Sequence, residues 1–95
     1  MKSQNKRLVR GFGMVSSDVI RDPDVSLREK SVYAYLASYA NSETNEVYVG
    51  VKRMASENGV TESTIKRILN SLSKKGIIFR QTTKVGSNTK TVLLK

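Results

Sequence analysis

The sequence predicts a small α+β domain with three main helices, one short strand and a C-terminal β-hairpin. With 95 residues, the chain is long enough for one modest core. Two stretches before Lys75 repeat apolar residues at helical spacing. After Gly76, β-branched residues flank a short polar turn, which is typical of a hairpin. We expect a flexible basic arm at residues 1–10 and the folded domain at residues 11–95.

Positive charge is concentrated in the last third of the chain. The sequence holds 17 Lys and Arg against 8 Asp and Glu, for a formal charge of +9. All eight acids and five of the bases fall in residues 18–62, whereas residues 63–95 carry eight bases and no acid. Such an acid-free stretch favours a polyanionic partner.

Several classes of protein are excluded by what the sequence lacks. It has no Cys and no His, which excludes disulfides, zinc fingers and catalysis by either residue. No apolar run reaches the roughly 18 residues of a membrane span, and Met1–Arg10 is too polar for a signal peptide. No nucleophile–base pair is visible. We therefore expect a cytoplasmic, non-enzymatic protein without a metal, a cofactor, a membrane partner or a small-molecule substrate.

The N-terminal segment is a basic arm followed by apolar residues. The arm either contacts DNA phosphates and the minor groove or only solubilises the chain, and both interpretations stay open. Its candidate DNA-binding residues are Lys6, Arg7 and Arg10. The apolar residues expected to enter the core are Phe12, Met14 and Val15. A helical turn over residues 16–21 should end at Asp22-Pro23-Asp24, whose aspartates fit turn chemistry better than a metal site.

A central helix is expected from Leu27 to about Ala40. Ser26 and Glu29 form a capping box, which marks its start. The helix is apolar on nearly every side, so we expect neighbours around most of it. Its tyrosines are expected in the core rather than on a surface that stacks with bases: Tyr33, Tyr35 and Tyr39.

Residues 51–75 have the spacing of a helix-turn-helix. The small Ala55 faces inward where a second helix crosses, and Gly59 supplies the left-handed conformation of a sharp turn. Val60 is expected to turn back toward the core, and Thr61 to cap the second helix. The apolar residues of the second helix define one buried face: Ile65, Ile68, Leu69 and Leu72.

The outward face of the second helix is rich in hydrogen-bond donors that can bind phosphates and base edges. The alternative is an ordinary solvated face, but the motif and the charge favour nucleic-acid recognition. Arg67 has a planar fork suited to a guanine edge, and Asn70 can pair with adenine. The candidate DNA-binding residues of this helix are Thr61, Ser63, Thr64, Lys66, Arg67, Asn70 and Lys74.

A basic hairpin follows the second helix. Gly76 ends the helix, and strands are expected at residues 77–83 and 89–94 around the turn Val85–Asn88. A short strand at Val47–Val49 should complete the sheet, since an isolated hairpin is marginally stable in water. A helix-turn-helix followed by such a hairpin is the winged helix-turn-helix arrangement. The candidate DNA-binding residues of the wing are Arg80, Lys84, Ser87, Asn88 and Lys90.

From Leu27 to Ile78 the chain resembles the winged helix-turn-helix domains of Gram-positive plasmids, conjugative elements and phages. The resemblance lies in the runs SLREKSVYAYLASYAN and VKRMASENGVTESTIKRILNSLSKKGII. It implies a recognition helix over Ser63–Lys74 and a wing at Lys84–Lys90. Such a domain often belongs to a replication initiator, a replisome organiser or an accessory factor at a transfer origin. This chain stops directly after the wing, so it is either a stand-alone small protein or the N-terminal part of a longer one.

The expected function is sequence-specific binding of double-stranded DNA by a protein of a mobile genetic element. The protein would act at an origin of conjugative transfer or replication. One alternative is a transcriptional repressor that uses the same residues on a promoter operator. The alternative from another class is a protein–protein interaction module with an incidental basic face. Double-stranded DNA is the expected partner, with a homodimer on repeated or palindromic sites, and either the helix or the wing carries specificity.

Overall fold

A computed structural model describes residues 14–82 and 89–95. In these residues the chain forms, in order, α1 (Ser17–Ile20), α2 (Leu27–Tyr39), β1 (Glu46–Val47), α3 (Val51–Asn58), α4 (Glu62–Lys74), β2 (Ile78–Thr82) and β3 (Thr89–Leu93). The predicted α+β winged helix-turn-helix fold is confirmed by this arrangement and by the sheet topology. The predicted arm, Phe12 and the turn at Val85–Asn88 lie outside the described residues.

The capping box predicted at the start of α2 is present. Glu29 N–H donates to Ser26 Oγ at 3.1 Å, and Ser26 N–H donates to Glu29 Oε1 at 2.7 Å. These two bonds satisfy backbone donors that have no partner within the helix. The helix ends one residue before the predicted end, because Ala40 has extended backbone with φ −72° and ψ 141°.

The turn between α1 and α2 contains a hydrogen bond between residues two positions apart. Asp24 N–H donates to Asp22 Oδ1 at 2.9 Å, as in an Asx turn. In residues 14–82 and 89–95, no three acidic side chains lie together as metal ligands would.

The predicted helix-turn-helix is formed by α3 and α4. Gly59 has φ 68° and ψ 33°, in the left-handed region that side chains with a Cβ disfavour. Val60 N–H donates to the Ala55 carbonyl at 3.0 Å and closes the end of α3. Thr61 caps α4, because its Oγ1 accepts from Thr64 N–H at 3.2 Å. The residues predicted to join the two helices therefore do so.

The strands form an antiparallel sheet in the order β1–β3–β2. Val47 pairs with Thr91, and Ile78 pairs with Leu93. Because side chains alternate along a strand, these four residues share one face of the sheet, and all four are buried. Phe79 lies on the other face and is 52 % exposed.

The first strand begins one residue earlier than predicted and contains only two residues. Leu93 N–H donates to the Asn45 carbonyl at 2.9 Å, so pairing with β3 already starts at that turn. Asn45 has φ 60°, a left-handed conformation that asparagine tolerates better than most residues.

The core lies between the sheet and the three longer helices. The residues predicted for the buried face of α4 are buried: Ile65, Ile68, Leu69 and Leu72. From α2 and α3 the buried apolar residues are Val32, Tyr33, Leu36, Ala37, Met54 and Ala55. No helix among the described residues is long and apolar enough to cross a lipid bilayer.

Three apolar side chains expected in the core are exposed instead. Met14 is 78 % exposed and Val15 is 43 % exposed. In the described part of the chain, the backbone hydrogen bond that joins this segment to the core is made by Ser16, which follows them. Val60 is 37 % exposed, since its backbone N–H rather than its side chain makes the contact that closes the turn. The predictions for these three residues are wrong.

Tyr33 joins the two ends of the described domain. Ser16 N–H donates to Tyr33 Oη at 2.8 Å, and this hydroxyl donates to the Lys95 carbonyl at 3.1 Å. The side chain is fully buried, as predicted. One hydroxyl therefore holds the start of α1 beside the residues that follow β3.

Tyr35 and Tyr39 hold α3 against α2. Both hydroxyls donate to Glu57 Oε1, at 2.5 and 2.8 Å, and Arg53 Nε donates to Glu57 Oε2 at 3.3 Å. Arg53 also lies over the Tyr39 ring, 5.4 Å from its centroid, in a cation–π contact. Tyr39 is 39 % exposed, so the core prediction is wrong for this tyrosine. Its position near the end of α2 places it at the surface.

Candidate nucleic-acid interface

The outward face of α4 presents polar and basic side chains to solvent. Its exposed residues are Ser63, Lys66, Arg67, Asn70 and Lys74. Because the apolar residues of α4 are turned to the core, these side chains lie on the other side of the helix. None of them belongs to an ion pair among the described residues. Their charges are therefore not neutralised by any acid in that part of the chain.

Glu62 is an acidic residue at the start of α4 to which the sequence analysis gave no role. It is the first residue of the helix and is exposed. A carboxylate in the first turn interacts favourably with the helix dipole, which explains its place without a DNA contact. The acid-free part of the face therefore begins at Ser63.

Thr61 and Thr64 define the start of α4. Besides the capping bond, their two Oγ1 atoms lie 2.9 Å apart, so one hydroxyl donates to the other. This leaves one O–H of the pair to donate to a phosphate oxygen. Their main structural role is to hold the first turn of α4.

Glu29 connects the last turn of α4 to the start of α2. Its Oε1 accepts from Lys75 Nζ at 2.7 Å, and its Oε2 accepts from Ser71 Oγ. Lys75 Nζ also donates to the Asp24 carbonyl at 2.5 Å. Only the capping role of Glu29 could be predicted from the sequence, because Ser71 is 42 residues away and no local pattern links the two.

The surroundings of Glu29 keep its carboxylate ionised. Burial alone would raise its pKa, but hydrogen bonds from Lys75, Ser71 and the Ser26 N–H outweigh burial. Together they lower the pKa from 4.5 to about 2. At neutral pH this carboxylate is charged, buried and fully bonded, so it does not act as a free acid beside α4.

The structure describes two of the predicted wing residues. Lys90 Nζ pairs with Glu46 Oε2 at 3.3 Å and links β3 to β1. Arg80 lies on the core-facing side of β2, opposite Thr91, and its Nε is buried without a hydrogen-bond partner in the described part of the chain. Burial lowers the pKa of Arg80. The other candidates lie outside the described residues: Lys84, Ser87 and Asn88 of the wing, and Lys6, Arg7 and Arg10 of the arm.

The helix-turn-helix, the three-stranded sheet and the basic face of α4 together define a winged helix-turn-helix domain. Domains of this type place the second helix of the motif in the major groove of DNA. The model of the helix-turn-helix domain family matches residues 26–78, which is more than half of the chain. The chain therefore belongs to this family. A search of curated proteins found no match.

Proposed function

We propose that this chain is a non-enzymatic, sequence-specific double-stranded DNA-binding protein of a mobile genetic element. It acts at an origin of conjugative transfer or replication. Membership of the helix-turn-helix family supports the DNA-binding part. The mobile-element part rests on the resemblance of Leu27–Ile78 to winged helices of plasmids, conjugative elements and phages.

The observation that carries this proposal is the acid-free outward face of α4. Ordinary solvated helices usually mix both signs of charge on their exposed side. Here every exposed side chain from Ser63 to Lys74 is neutral or basic, and no acid follows as far as Lys95. A helix with such a face is suited to the major groove, where bases and phosphates are within reach.

Different residues of this face are suited to bases and to phosphates. The Asn70 amide presents a donor and an acceptor side by side, which matches the major-groove edge of adenine. Lys66 and Lys74 carry compact, flexible charges that suit phosphates. We assign sequence discrimination to Asn70 and backbone binding to the lysines.

The salt dependence of binding tests DNA recognition. If α4, the wing and the arm neutralise roughly five to seven phosphates, log K should fall against log salt with a slope of about −4.5 to −6. Fluorescence anisotropy with a short labelled duplex measures this slope. A slope near zero would contradict DNA binding and would favour the protein–protein interaction module.

The DNA sequence that the protein prefers tests whether it serves transfer, replication or transcription. Selection from a random duplex library gives the preferred site, which is then mapped on the genetic element that encodes the chain. Sites at a transfer or replication origin support the proposal. Sites confined to promoters support the transcriptional repressor instead.

The arm and the oligomeric state form part of the same proposal. Deleting residues 1–10 should make the salt slope shallower if the arm contacts DNA, and should leave it unchanged if the arm only solubilises the domain at residues 11–95. On a duplex with two repeated or palindromic half-sites, sedimentation should find two chains bound. One chain on such a duplex would contradict the homodimer.

A further inference from the structure

We infer that Arg28 of α2 and Arg67 of α4 together bind one phosphate of the DNA backbone. This inference rests on the proposed function. It extends the interface beyond the helix-turn-helix to the first turn of α2, to which the sequence analysis gave no role in binding.

The two arginines line the same cleft, which has a volume of about 280 Å³. The cleft lies between the first turn of α2 and the middle of α4. Its walls include Ser26 and Arg28 on one side and Thr64, Arg67 and Ile68 on the other. Both arginine side chains are exposed, so a ligand in the cleft can meet both.

The cleft carries a net positive charge. Glu29 also lines it, but Lys75 neutralises that carboxylate and its oxygens already accept several hydrogen bonds. Neither Arg28 nor Arg67 forms an ion pair within residues 14–82 and 89–95. Two cations on one cleft repel each other, and an anion between them adds two attractions that outweigh this repulsion.

A phosphate matches the donors of the cleft. Guanidinium groups bind phosphate oxygens through two parallel N–H donors, which a lysine cannot do. Ser26 Oγ accepts from Glu29 N–H in the capping box, so its own O–H remains to donate. These groups can therefore surround a phosphate from both walls of the cleft.

The bound duplex is the source of this phosphate. Arg67 borders the outward face of α4, on the side toward α2, so the cleft is continuous with the face that carries Asn70. A strand backbone that passes Asn70 in the major groove would cross this cleft. In this proposal Arg67 holds the backbone instead of reading guanine, which is the role predicted for it from the sequence.

Substitutions of both arginines test the site, with Arg21 as a matched control. Arg21 is exposed and follows α1, outside the cleft. On a random-sequence duplex, Arg28→Gln and Arg67→Gln should each weaken binding roughly tenfold. Each should also make the salt slope shallower, and the two substitutions combined should do so by about 0.9, the contribution of the one phosphate that they share. Arg21→Gln should change neither quantity. If Arg28→Gln behaves like Arg21→Gln, the inference is wrong.

Methylphosphonate substitution tests whether both arginines hold the same phosphate. In the selected duplex, neutralising one and the same phosphate should weaken binding of the wild-type chain strongly and binding of either cleft variant less. If the two variants lost sensitivity to neutralisation at two different phosphates, the arginines would not share one site. Inorganic phosphate can also be tested as a competitor of DNA at fixed ionic strength. If it competes for the wild-type chain but not for Arg28→Gln, and the two chains have the same salt slope, the cleft binds free phosphate and not the DNA backbone.

The outcomes separate this inference from the proposed function. A wild-type salt slope near zero would contradict both the proposed function and this inference. A steep wild-type slope that Arg28→Gln leaves unchanged removes only the phosphate site. All three arginine variants should unfold at the wild-type temperature, since the side chains are exposed, so a binding defect would not reflect loss of the fold.

Discussion

The Glu29 carboxylate lies 2.7 Å from the Nζ of Lys75, a residue 46 positions later in the chain. Glu29 is in the first turn of α2, and Lys75 directly follows the last residue of α4. This ion pair fixes one end of α4, and the Thr61 cap fixes the other. Side chains on a helix supported at both ends keep their positions relative to the rest of the domain.

Stability should fall in acid because of Glu29. Its pKa is lowered on folding, so its contribution is fully present above about pH 4.5 and is lost as pH falls through about 2. The shift corresponds to about 3 kcal/mol. The free energy of unfolding, measured with urea across this pH range, should decrease as the pH falls. In Glu29→Gln this decrease should be smaller. Glu62→Gln, at an exposed residue, is the control. A Glu29→Gln chain with wild-type pH dependence would contradict the pKa assignment.

Replacing Gly59 with Val should destabilise the domain by about 1–3 kcal/mol. A Cβ at this position meets no atom within 4 Å, so the cost comes from the positive φ and not from a clash. Gly50→Ala is the matched control, because Gly50 has φ −75° and equally open surroundings. Its cost should be smaller than that of Gly59→Val, because Ala is a poorer N-cap than Gly but suits this backbone conformation. Thermal unfolding compares the two, and equal effects would rule out backbone strain at Gly59.

Tyr33→Phe should cost about 1 kcal/mol while leaving the core filled. The change removes the hydroxyl that accepts from Ser16 N–H and donates to the Lys95 carbonyl. Amide hydrogen exchange should also become faster near α1. Tyr48→Phe is a suitable control, since Tyr48 is 65 % exposed and its hydroxyl donates to Glu46 on the surface. Equal stability of the two variants would mean that the Tyr33 hydroxyl does not hold the ends together.

Asn70→Ala should reduce discrimination between the selected site and random DNA by about 1–3 kcal/mol. Lys74→Ala should instead weaken both complexes to a similar extent, because a phosphate contact carries no sequence information. Anisotropy titrations on the two duplexes give the ratio of affinities. If Asn70→Ala preserves that ratio while wing substitutions such as Lys84→Ala lower it, the wing carries specificity.

Sequence patterns correctly predicted the elements that depend on residues close together in the chain. The capping box at Ser26, the left-handed turn at Gly59 and the buried stripe of α4 depend on residues within a few positions of one another. The exposure of Tyr39 and Val60 was predicted wrongly because apolar spacing indicates a buried face but not how far the neighbouring elements extend over it.

The site was predicted less completely, since its supports are distant in sequence. The outward face of α4 follows from helical spacing alone. The bonds from Ser71 and Lys75 to Glu29, the pairing of Lys90 with Glu46 and the place of Arg28 beside Arg67 all depend on how α2, α4 and the sheet pack. No pattern within one element reports such contacts.

The shared hydroxyl of Tyr33 has a consequence for building larger proteins from this domain. Since Ser16 and Lys95 bond the same oxygen, segments joined before α1 or after β3 leave the surface at one place. A second module joined directly before Ser16 or directly after Lys95 would therefore be tethered at nearly the same point. Gene fusion could add such a module before or after the domain without changing where it is held relative to bound DNA.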